Sequence, residues 1–383
     1  MKKHAADYWI LIFAVGLSAF GIIMIQSSSF YSSMNSSLGA YYYASKQLRS
    51  FIVGAFLMVF LWNFDYHNFR TMHLSKVAYV VSILLLIWVL VGGTNAYGAQ
   101  RWINIAGLSL QPSDVAKVSI VLVLADIFSV DSTRIHRFKF ILLAVILAGA
   151  FALLIMLQPN LSTTICILAI TVAIMFAAGL HWGWLTAAGV AGVGLVVLLM
   201  ISKPYRIRRL EAFWNPWLEP LGTGYQLIQS LYAIGAGGFM GVGIGQSMQK
   251  MLYIPFAESD FIFAIIAEET GFIGCILLFL AFLILIWRGI LVAQRSEDPF
   301  ASLLATGITS MIAIQTIINL CVVTGAIPPT GIPLPFISYG GTSLMMMLAS
   351  VGILLNISKS TTLPPKRRQL RFKFSKESSW HNN

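Results

Sequence analysis

Asp260 stands directly ahead of the apolar run Phe261-Ile262-Phe263-Ala264, with Glu258 just before it and the pair Glu268-Glu269 further on. A carboxylate at the lip of an apolar stretch is a costly position, and ionisable residues at membrane depth are functional candidates by default. At that lip Asp260 is within reach of a hydrophilic acceptor, as a catalytic carboxylate would have to be. It can equally cap a helix beginning at Phe261, and the two roles are compatible. Along such a helix Glu268 lies roughly 12 Å deeper. Glu268 and Glu269 are then buried and need cationic partners such as Lys117 or Arg101, either in a structural ion pair or around a ligand.

Other polar groups gather in four places. Gly98, Arg101 and Trp102 precede Gln111-Pro112-Ser113-Asp114 and Lys117. Pro112 suits the first turn of a helix, which puts Lys117 about one turn inside the membrane. There it could hold a phosphate-bearing head group together with Arg101; a capped helix with Trp102 as an interfacial aromatic is the plainer alternative. Gln158-Pro159-Asn160 reads as a turn. The segment 202–260 carries Arg206, Arg208 and Arg209, then Asn215-Pro216-Trp217, Gly224-Tyr225-Gln226, a glycine run from Gly235 to Gly245, and Ser247-Met248-Gln249-Lys250. Its aromatic and aliphatic residues point to a structured loop with a short or re-entrant helix near 224–234. The glycines permit close backbone approach, but a nucleotide P-loop is excluded, since no strand precedes them and no Lys-Ser or Lys-Thr follows. Finally, Pro328-Pro329 through Pro333-Leu334-Pro335-Phe336 and Ser338-Tyr339-Gly340-Gly341 cannot continue a helix. Irregular backbone at membrane depth must be covered by protein or line a watery cavity.

The elements that position these groups are membrane helices. The chain has 383 residues, 58% hydrophobic and only 10% charged, far from the composition of a soluble protein. Apolar runs of roughly twenty residues recur, each long enough to span. Ten helices are expected, near 8–26, 48–64, 75–92, 113–130, 139–157, 161–179, 183–201, 261–287, 299–323 and 339–358. The fold class is an all-α integral membrane protein, with a membrane domain over 1–360, a large structured extracellular loop between the seventh and eighth helices, and a basic tail over 361–383. Asp114, Lys117 and Asp126 punctuate the fourth helix and should face the bundle interior or a wet cavity. Although the net charge is +11, its Lys and Arg lie between spans and in the tail, which suits membrane lipid and argues against nucleic acid. With an even number of spans and the N-terminus inside, sixteen Lys and Arg are cytoplasmic and eight are outside, so both termini are expected in the cytoplasm. The N-terminal apolar run is read as a retained first helix. Cys166, Cys275 and Cys321 sit inside apolar runs without metal or disulfide spacing. There is no strong internal repeat, which weighs against an inverted-repeat transporter.

Arg101-Trp102, Gln111-Pro112-Ser113, Lys117, Gly224-Tyr225-Gln226, Asp260-Phe261-Ile262-Phe263, Glu268-Glu269 and Pro333-Leu334-Pro335-Phe336 through Gly341 together resemble the SEDS family (shape, elongation, division and sporulation) over nearly the whole chain. The Gly241-Val242-Gly243 and Ser247–Lys250 region, with Asn215-Pro216-Trp217, resembles its FtsW/SpoVE branch more than RodA. The resemblance implies a peptidoglycan glycosyltransferase of the bacterial plasma membrane that polymerises lipid II on the outer face. It implies a class B penicillin-binding protein as partner, within divisome or elongasome assemblies, and Asp260 as the catalytic residue. Arg101, Lys117, Arg206, Arg208 and Lys250 become candidate phosphate contacts, with Gln111, Ser338, Glu268 and Glu269 as further substrate-site candidates. The chain departs from the family in having Asp114 where Glu is common, Asn160-Leu161-Ser162 where Asp-Leu-Gly is common, and Glu258-Ser259 where His-Thr is common. The extra carboxylate at Glu258 could raise the pKa of Asp260 or join a divalent cation (Mg or Mn) site. A lipid II flippase, a scaffold for the transpeptidase, and the same polymerase serving elongation or spore cortex are the alternative readings.

Overall fold

The computed structural model describes residues 5–35, 39–96, 99–105, 108–131, 134–184, a few positions from 186 to 194, 204–251 and 253–361. Its helices are α1 (Tyr8–Asn35), α2 (Tyr42–Asn63), α3 (Leu74–Gly92), α4 (Pro112–Ser129), α5 (Phe138–Leu157), α6 (Leu161–Ala177), α7 (Pro204–Trp214), α8 (Tyr225–Gly237), α9 (Ile262–Arg295), α10 (Pro299–Val323) and α11 (Gly341–Ser358). Among the described residues seven helices are long and apolar enough to cross a membrane: α1, α2, α3, α5, α9, α10 and α11. The protein is therefore an all-α, multi-pass membrane protein. The expected helix over 183–201 lies largely outside the described residues, as do Gly98 and the basic tail beyond Thr361.

α4 sits at the bundle centre, with fourteen of its eighteen residues buried. Its charges consequently face protein: Lys117 pairs with Asp114, and Ser75 Oγ donates to Asp126 at 2.8 Å. Three boundaries move from expectation, the first being the start of α2, at Tyr42 rather than near 48. α1 runs on to Asn35 because its serines are helix-compatible when they bond back to their own helix; Ser28 and Ser29 hydroxyls donate to the carbonyl of Ile25. α9 runs on to Arg295.

A three-stranded antiparallel sheet, unexpected from sequence, joins α3 to α4: β1 (Thr94–Ala96), β2 (Ala99–Ile105) and β3 (Leu108–Leu110), with Thr94 opposite Trp102 and Ile103 opposite Leu110. Only Ile103-Asn104-Ile105 alternates with the period of a strand, and Trp102 beside Ile103 breaks the pattern. At the far end of the bundle, Arg288 of α9 pairs with Asp7, whose backbone N–H donates to Ser358 Oγ of α11 at 3.0 Å. That contact places the start of α1 and the end of α11 on one side, opposite the sheet.

Candidate active site

The Pro- and Gly-rich segment between α10 and α11 folds as an irregular wall. Asn319 of α10 anchors it: Nδ2 donates to the carbonyls of Ile332, at 2.7 Å, and Asp260, at 2.8 Å. The backbone N–H of Tyr339 donates to the carbonyl of Glu258 at 2.9 Å. Asp260 is thus held by its backbone against this wall, and Ser259 Oγ donates to its Oδ1 at 3.3 Å. The helix cap expected of Asp260 falls instead to Phe261, which makes no side-chain cap bond.

Wall and sheet enclose a cavity of about 670 Å³ at the end of the bundle opposite the start of α1 and the end of α11, with Asp260, Glu258, Arg101, Gln111, Asp114, Lys117 and Asn160 all on its surface. Lys117 Nζ lies 2.8 Å from Asp114 Oδ1 and donates to Gln315 Oε1 at 2.9 Å. An ammonium has three donors, so one remains for a ligand. Arg101 donates from Nε to the carbonyl of Gln158 at 3.1 Å and from Nη2 to that of Pro159. Its guanidinium both fixes the α5–α6 turn and charges the cavity wall. Gln111 takes the N-cap position of α4, and its backbone N–H donates to Thr342 Oγ1 at 2.9 Å, tying α4 to the start of α11. Burial, reinforced by the nearby Asp260 charge, pushes the Glu258 carboxyl above the ordinary glutamate range.

The other candidates lie elsewhere. Glu268 and Glu269 do not meet Lys117 or Arg101. Glu268 accepts from the Ser247 hydroxyl and from the backbone N–H groups of Met248, at 2.9 Å, and Gln249, at 3.3 Å. Glu269 pairs with Lys250 at 3.0 Å and accepts from Ser27 Oγ of α1 at 2.6 Å. These three charged residues do not line the main cavity; they lock the glycine-rich loop onto α1 and α9. Ser338 is buried in the wall, where its hydroxyl accepts from Leu334 N–H at 2.8 Å. Arg208 is exposed on α7, and the Arg206 side chain lies outside the described residues. Arg208 is not among the residues lining the cavity.

The glycine run serves packing. Gly271 breaks α9 with φ 65°, ψ −164°, a conformation that favours glycine. The carbonyls of Glu268 and Glu269 then accept from Val242 and Gly243, while the N–H groups of Phe272 and Ile273 donate to Gly238 and Phe239. The loop thereby supplies the hydrogen bonds that the broken helix lacks. A Cβ on Gly241 would collide with the backbone of Glu269 and Gly271.

Gln315 was absent from the sequence candidates. Its signal was a neutral amide inside an apolar span, four residues before Asn319 and so on the same helix face. As for a divalent ion, no three His, Cys, Asp or Glu side chains converge to hold one among the described residues. Glu258 and Asp260, two carboxylates on one cavity, would hold Mg or Mn only with water or substrate phosphates completing its shell.

The family described as cell cycle protein, comprising FtsW, RodA and SpoVE, matches residues 8–363. Stage V sporulation protein E of Bacillus subtilis (strain 168) is 42% identical over 94% of this chain and 98% of its own length. A probable peptidoglycan glycosyltransferase FtsW from Trichlorobacter lovleyi is 37% identical over 94% of each chain. A solved chain from a peptidoglycan synthase complex that coordinates polymerization and crosslinking superposes with a TM-score of 0.76 at 28% identity, covering 92% of this chain and 98% of the other.

Proposed function

The chain belongs to the FtsW/RodA/SpoVE family, and from that premise we propose how its site works as a peptidoglycan glycosyltransferase. The observation that carries the reading is one cavity walled by Asp260, Lys117 and Arg101 together. In glycan extension from a lipid diphosphate, a sugar hydroxyl attacks the anomeric carbon of a second sugar. The new C–O bond forms as the anomeric bond to diphosphate breaks, and the diphosphate leaves with the bonding pair. Asp260 takes the hydroxyl proton as general base, a contribution of about 10²–10⁴-fold. Lys117 and Arg101 meet the charge that develops on the leaving diphosphate. Gln111 holds the start of α4 that carries Lys117.

In this reading the substrate is lipid II, the cavity opens on the outer face of the plasma membrane, both termini are cytoplasmic, and a class B penicillin-binding protein crosslinks the product within the division machinery. The Lys and Arg distribution supports the orientation, and the meeting of Asp7, Arg288 and Ser358 supports termini on one side. A sporulation role for the same polymerase has its own support in the 42% identity to Stage V sporulation protein E.

The test is lipid II polymerisation by the purified protein, with and without its cognate transpeptidase and with moenomycin present to silence other polymerases. Glycan strands are expected from wild type and not from Asp260→Ala. Lipid translocation in liposomes without any glycan product would replace the transferase reading by a flippase.

A further inference from the structure

A second cavity, of about 260 Å³, adjoins the first; it is walled by Ser28 and Ser32 of α1, Tyr43 of α2, Lys250, and the segment from Ile254 to Glu258. Tyr43, Phe256 and Glu258 line both cavities. The two therefore share a wall, and Asp260 stands just beyond it in the chain. Phe256 holds its place in that wall with φ 54°, a conformation that costs a non-glycine residue on the order of 1–3 kcal/mol and persists only where the surroundings impose it. Tyr43 is fixed by an edge-on contact with Tyr339, ring centroids 5.0 Å apart.

The lining selects a chemistry. The positive charge of Lys250 is already matched by Glu269 at 3.0 Å, and Lys250 Nζ also donates to Ser27, so the cavity offers an anion little. An alkyl occupant would strand the buried Glu258 carboxyl without a partner. Two aromatic rings and Pro255 add flat apolar surface. The fitting occupant is neutral, rich in hydrogen-bonding groups and apolar on one face, which describes a pyranose bearing hydroxyl and acetamido groups. The volume equals about nine waters at ~30 Å³ each, which suits a single sugar ring.

We propose that this cavity is a saccharide subsite that takes the sugar unit next to the reacting one, with Glu258 in the shared wall as the group that reads its hydroxyl or amide. The proposal rests on the glycosyltransferase reading above and adds to it a place for the neighbouring ring.

The test uses the full-length protein in detergent and chitobiose, a soluble N-acetylated disaccharide, as competitor of lipid II polymerisation. Chitobiose is expected to inhibit wild type, and its inhibition constant to rise about tenfold in Ser32→Phe and Glu258→Ala, the loss expected of one or two hydrogen bonds and a packing face. Glu258→Gln, which keeps a neutral donor and acceptor, should restore inhibition. A readout free of turnover runs in parallel: chitobiose should raise the unfolding temperature of wild type and of Asp260→Ala, but not of Glu258→Ala. Equal inhibition and equal stabilisation across all these proteins would overturn the subsite while leaving the transferase intact, as would active wild type indifferent to chitobiose. Wild type that makes no glycan at all would remove the transferase reading itself, and the subsite with it.

Discussion

Two polar clusters in this protein are built from the same ingredients, a lysine and acidic side chains, and come to opposite ends. Around Asp260, the Lys117–Asp114 pair and Arg101 face a cavity of about 670 Å³. Around Glu268 the partners are internal: Ser247, Met248 and Gln249 serve one carboxylate, while Lys250 and Ser27 serve its neighbour. A charge inside a membrane protein is thus not in itself a site. What separates the clusters is where the charges face: the first set lines the main cavity, whereas both glutamates of the second are turned into the loop and helices they hold together, and only Lys250 reaches a cavity, the smaller one.

The largest effect should come from exchanging substitutions between the clusters. Asp260→Asn should lower lipid II polymerisation by about 10²–10⁴-fold at an unchanged unfolding temperature, whereas Glu268→Gln should lower the unfolding temperature first. If both variants lost activity alone, or both lost stability alone, the distinction between an open and a closed cluster would fail.

Next in size, Lys250→Met leaves Glu269 buried without its cation, a change that typically costs about 3–5 kcal/mol. Thermal unfolding in detergent should register it, and the double variant Lys250→Met/Glu269→Leu should recover most of the loss. Absence of recovery would mean that the pair holds more than its own charges.

Smaller again, Gly271→Ala forces a side chain into a left-handed position facing the backbone of Met240 and Gly241. Its expected cost is on the order of 1–3 kcal/mol, seen as faster proteolysis within 238–250. A stability equal to wild type would show that the break in α9 can straighten.

The smallest effect belongs to Glu258, whose carboxyl burial pushes up. The folded state binds that proton more tightly than the unfolded chain, so stability falls as pH rises from the ordinary glutamate range through the raised value. Glu258→Gln cannot ionise and escapes the fall. It should match wild type in acid and unfold roughly 1–3 °C higher at alkaline pH; a gap that does not change with pH would refute this.

The spans were legible because an apolar run of membrane length has few other uses in a chain this poor in charge. Asp260 was legible for a related reason: its position at the lip of such a run is expensive. Long-range partners were not. Lys250 reaches Ser27 across 223 positions, and no local pattern encodes that. The pairing expected between Glu268-Glu269 and Lys117 or Arg101 failed on the same ground, since two buried cations competed and only the packing of α1 against α9 decides between them. The serine-rich end of α1 misled through hydropathy, which counts a hydroxyl as polar even when it is bonded to its own helix. The sheet escaped because β1 and β3 have only three residues each.

The break at Gly271 bears on how the gene can vary. Segments outside a membrane usually tolerate insertions and deletions, because their backbone finds water wherever it goes. Residues 238–243 exchange backbone hydrogen bonds with α9 at four fixed points, so one added residue there would put every later donor opposite the wrong carbonyl. In length tolerance this stretch should behave as part of a span, although its glycines look like those of a linker. A scan of single-residue insertions should find it as intolerant as the interior of α10, while the exposed stretch from Trp217 to Leu221 accepts them.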